Sequence, residues 1–86
     1  MATVKNGDLV TIGSTSVTQI IMEQRDIDYT QFTITVVAGT LKVGQGGISA
    51  NAYAYPAGSK IPISCKNSNL YVQAGSNTDT FAITAN

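Results

Sequence analysis

The chain has 86 residues, five basic and five acidic side chains, no net charge and no histidine, so it makes one small domain burying about 60–65% of the surface its unfolded form exposes. Its charged fraction of 12% is about half the usual share, and Thr, Ser, Asn and Gln take the place of charge. Lys5, Arg25, Lys42, Lys60 and Lys66 are scattered along the chain, which argues against nucleic acid or an anionic membrane as a partner, because both need clustered positive charge.

The N-terminal "MATVKNGDLV" lacks the apolar core of a secretory signal, and no apolar run approaches bilayer length. Synthesis and folding in a cytoplasm are expected. Asn6-Gly7 is the favoured pair for a type I′ hairpin turn. "IGSTS" is the next break. "SVTQIIMEQ" then alternates, with Val17, Gln19 and Ile21 on one face and Thr18, Ile20 and Met22 on the other. Three consecutive apolar residues, Ile20 to Met22, cannot all face one side of a strand. Both faces there should be covered, and Ile20 and Met22 become candidates for contact with another subunit.

"FTITVVA" sets Phe32, Ile34 and Val36 against Thr33 and Thr35. "GQGG", Gly44 to Gly47, is a flexible break or bulge. "YPAG" fits a type I turn with Pro56 at the second position. "KIPISCK" gathers Ile61, Ile63 and Cys65 on one face, with Pro62 opposite. Proline cannot donate to a ladder, so this strand is expected at a sheet edge or with the Pro62 nitrogen directed outward. "LYVQA" gathers Leu70, Val72 and Ala74, and "TFAITA" gathers Phe81, Ile83 and Ala85. "KNSN" and "GSNTD" are polar turns of Asx type. About seven short antiparallel strands result, at the spacing of an all-β sandwich or a jelly-roll-like barrel.

Catalysis finds little support. Without histidine there is no common general base or metal ligand, and the serines have no activator. "GQGG" lacks the Lys-Ser/Thr of a phosphate loop. Asp26 and Asp28 suit a calcium ligand pair in spacing, but capping of a turn beside Arg25 is the simpler account. Cys65 is the single cysteine, in phase with the apolar face, and is expected to be a buried, inert thiol. No enzyme and no cofactor are expected. Tyr53 and Tyr55 share a face if "ANAYAY" is extended. Tyrosine buries area at little entropic cost and brings a hydroxyl, so the pair reads as a contact surface for protein, or alternatively as a stacking platform for sugars. The bland reading is that both rings cover the end of a small core.

From Gly39 to Thr84, the order "GTLKVGQGG", "PAGSKIPI" and "NLYVQAGSNTDTFAIT" resembles small virion proteins of tailed bacteriophages: capsid decoration (auxiliary) proteins and base segments of head fibres. The resemblance covers about half the chain. It implies a β-sandwich or jelly-roll-like domain on the capsid surface of the virion, often a homotrimer, bound to the major capsid protein. The alternative is a carbohydrate-binding or adhesin module that uses Tyr53 and Tyr55.

Overall fold

A computed structural model describes residues 1–23 and 29–86. It is an all-β sandwich of two sheets, not closed into a barrel. Nine strands are described: β1 Ala2–Val4, β2 Leu9–Thr11, β3 Thr18–Met22, β4 Gln31–Ala38, β5 Thr40–Gln45, β6 Tyr55–Pro56, β7 Lys60–Ser64, β8 Leu70–Ala74 and β9 Thr80–Ala85. One sheet has the order β1-β3-β8-β5-β6 and the other β2-β9-β4-β7. The chain therefore changes sheet at nearly every connection, and β5–β6 is the one same-sheet hairpin among the described strands. The expected count of seven rises because β1, β2 and β6 are two or three residues long. One pair, β1 with β3, is parallel.

The period-two faces appear as read. Phe32, Ile34, Val36, Phe81 and Ile83 point inward from the second sheet, and Ile20, Met22, Leu41, Leu70 and Val72 from the first, all 3% exposed or less. Thr33 opposite Thr84 and Thr35 opposite Ala82 lie on the solvent side of the second sheet. β-Branched side chains at every second position suit this pleated, half-buried surface. Val37 falls at the register shift between Val36 and Ala38, which turns it outward.

Three turns differ from the sequence reading. At Asn6-Gly7 the positive φ falls on Gly7 alone, at 91°, and among the described residues no non-glycine residue has positive φ. A type I′ turn needs it at both central positions. The Asp8 N–H donates to the Lys5 carbonyl at 3.0 Å, so the turn is closed, but it carries the chain from one sheet to the other and makes no hairpin. At the proline, the Ser59 N–H donates to the Pro56 carbonyl at 3.2 Å and Gly58 has φ 93°. Pro56 is thus the first residue of the turn, not the second, because it still pairs with Thr40 as part of β6. "GQGG" is a tight reversal whose carbonyl at Gly47 lies where a Gly44 side chain would be.

Pro62 is where its chemistry requires. The Cys65 N–H donates to Thr30 and the Val36 N–H to the Ser59 carbonyl. These two bonds fix the alternation of the β4–β7 ladder, so Ile61 and Ile63 exchange bonds with Ile34 and Phe32. The Pro62 nitrogen falls on the outer side, and β7 is an edge strand.

Candidate functional site

Tyr53 and Tyr55 meet at the end of the β5–β6 hairpin. Tyr55 pairs with Leu41 and packs partly buried against the core, while Tyr53 is 65% exposed. Their ring centroids are 4.9 Å apart at an interplanar angle of 79°, an edge-to-face contact. This arrangement suits the ring quadrupoles, which place a positive edge on a negative face. Tyr55 is thereby an anchor that holds Tyr53 out in solvent.

Tyr55 also lines a cleft of about 380 Å³ between the two sheets, together with Val43, Gly44, Gln45, Ile61, Pro62 and Ile63. Val43, Ile63 and Cys65 face the core yet are only partly buried, because the sandwich is open along this side. The Gln45 side-chain amide spans the opening, donating to the Ser64 carbonyl at 3.2 Å.

Ile20 and Met22 are a correction. Expected as contact residues, each is 1% exposed and sits in the core. They share the inward face of β3, while Ile21 takes the opposite face beside Thr3 and is partly buried. Neither Ile20 nor Met22 is open to a partner. Asp26, Asp28 and Arg25 lie outside the described residues. Among the described residues no group of three or more His, Cys, Asp or Glu is placed to hold a metal ion. Cys65 is half-buried rather than fully buried, and burial raises its thiol pKa, which keeps it in the less reactive protonated form.

Two polar residues are more deeply built in than the sequence reading foresaw. Asn67, 7% exposed, accepts from the Met22 N–H and donates to the Met22 carbonyl, both at 2.7 Å. Its side-chain amide thus pairs with backbone as a neighbouring strand would. Asp79, 8% exposed, closes the β8–β9 turn. One carboxylate oxygen accepts from the Gly75 and Ser76 N–H groups at 3.0 Å and from the Thr40 N–H at 3.1 Å. The other accepts from the Ser76 hydroxyl at 2.5 Å. The Ser76 hydroxyl first, and then the Thr40 N–H, lower its pKa, against a smaller opposing effect of burial. Gly39, with φ 77°, lies so close that a side-chain carbon would overlap the Asp79 carboxylate. "GSNTD" signals the local turn. Nothing in it signals the bond to Thr40, 39 positions away.

No protein-family model matches the chain, and no curated protein or solved structure matches it.

Proposed function

We propose that this chain is a structural protein of a tailed-phage virion, which docks on the major capsid protein as a trimer and stabilises the shell without chemistry of its own. The observation that carries this reading is the order of strand, glycine break, proline turn and paired apolar strands over Gly39 to Thr84, a stretch that forms β5 to β9. The surface fits the role. The exposed large apolar residues Met1, Leu9, Val17, Val37 and Tyr53 come from five separate segments of the chain. Separate small contacts to several neighbours add through avidity, and a chain of zero net charge meets no repulsion on close approach to its own copies.

The carbohydrate alternative weakens on geometry. Two rings at 79° present one face and one edge, so a sugar meets no two-ring platform.

The test is addition of the purified protein to empty capsid shells of the phage that carries its gene. Co-sedimentation at a fixed ratio to the major capsid protein and a raised shell melting temperature are expected, with light scattering giving a trimer mass. Saturating protein that leaves shell melting unchanged and stays in the supernatant overturns the reading.

A further inference from the structure

The first sheet stops pairing in the middle of β5. On one side β5 pairs with β8 from Leu41 to Gln45; on the other it pairs with β6 only at Thr40 and Leu41. The Gly75 N–H donates to the Thr40 carbonyl and the Gly46 N–H to the Asn69 carbonyl. Those two bonds assign the even-numbered residues of β5 to β8. The backbone groups of Val43 and Gln45 therefore point to the other side, where β6 has already ended. Among the described residues no ladder partner meets them.

This bare edge borders the cleft between the sheets. The Val43 side chain turns into it, beside Tyr55, Ile61 and Ile63. The facing edge, β7, is partly closed to pairing by a different route. Pro62 has no N–H to offer, and the Ser64 carbonyl is engaged by Gln45. One edge of the opening is thus partly blocked and the other is free.

We propose that the β5 edge and this cleft form an acceptor site for one extended polypeptide strand from a partner protein, uncharged and with apolar side chains at alternate positions. The N–H and C=O groups of Val43 and Gln45 call for another backbone in β geometry, which strand addition supplies. The cleft takes the side chains of every second residue. Its lining holds no charged group, so the complementary strand is neutral. The inference stands on the edge geometry and does not need the capsid reading. If that reading holds, the strand is the form in which the capsid partner is gripped.

Amide hydrogen exchange of the intact protein is the direct test. The Val43 and Gln45 amides should exchange fast while those of Lys42 and Gly44, bonded to β8, are slow. The probe is a short capped synthetic peptide alternating threonine with valine, with a threonine/serine peptide as control. Binding of the first should slow the Val43 and Gln45 amides at least tenfold and leave the control without effect. Gln45→Pro, which removes one outward donor as Pro62 does on β7, should weaken binding at least tenfold. Gln45→Ala, which keeps that donor but loses the side-chain bridge to Ser64, should bind at least tenfold more tightly than Gln45→Pro. The proposal is overturned if the two amides are already slow in the free protein, or if they slow with protein concentration alone, which would mean that copies pair with each other. It is equally overturned if the peptide fails to protect them, or if Gln45→Pro, with its β8 amides still slow, binds like wild type.

Discussion

β5 begins in a densely bonded part of the molecule and ends at an open one. At its start, Thr40 is bonded to the Asp79 carboxylate, which also holds Gly75 and Ser76, and Gly39 leaves no room for a side chain. At its end, Val43 faces the core but is only partly buried, and the ladder on one side has run out. The same strand thus serves as a fixed anchor and as an open edge. Polar groups are fully paired where the fold must be held. They are left unpaired at the edge proposed above as an acceptor, and an unpaired edge is a template for another strand.

The largest effect should come from filling the tight end. Gly39→Ala forces a side chain into positive φ and against the Asp79 carboxylate. Strain and overpacking together should cost about 2–4 kcal/mol, which lowers Tm by roughly 10 °C or more in a domain of this size. Thermal unfolding followed by circular dichroism measures it. A loss of less than about 1 kcal/mol would show that the turn yields easily and that the contrast between the two ends is false.

A smaller effect follows from acid. The pKa of Asp79 is lowered in the folded state, so its carboxylate stabilises the fold at pH values above the ordinary carboxyl pKa of about 3.9. That contribution declines as pH falls through the depressed folded value, because the folded state then takes up a proton later than the unfolded state does. Between roughly pH 5 and the lower folded value, wild type should lose stability on acidification more steeply than Asp79→Asn, which cannot titrate there. Urea unfolding of both proteins across this window decides the matter, and parallel curves would remove Asp79 as the acid-sensitive group.

The tight end shows where the sequence stops being legible. Alternation in "FTITVVA", "LYVQA" and "TFAITA" identifies the inward residues of β4, β8 and β9 because one face of each strand is dry. Pro62 marks an edge because its missing donor has one tolerable direction. Asn6-Gly7 misleads because turn preference is local, whereas the decision to leave one sheet for the other is made by the packing of β1 and β2 against different partners. Ile20 and Met22 mislead in another way: their run of three apolar residues is real, but the outward one is Ile21 alone. Asp79 and Asn67 are legible as turn residues. Their partners, Thr40 and Met22, are distant in sequence, and no local pattern carries that information.

The smallest effect on stability should belong to Tyr53, and that smallness makes it the useful probe. Its ring is 65% exposed and rests edge-to-face on Tyr55, so Tyr53→Ala should cost about 0.5–1 kcal/mol, the worth of one aromatic contact at a surface. Tyr55→Ala should cost more, since Tyr55 also packs against the core and pairs with Leu41. If the tyrosines serve only to cover the open side, loss of function follows loss of stability, and Tyr55→Ala is the more damaging change in every assay. If Tyr53 is a contact, Tyr53→Ala keeps the wild-type fold and loses co-sedimentation with shells. Equal retention of shell binding and stability in Tyr53→Ala would reduce the pair to a cover for the core. The open end of β5 would then depend on the free backbone of Val43 and Gln45 alone.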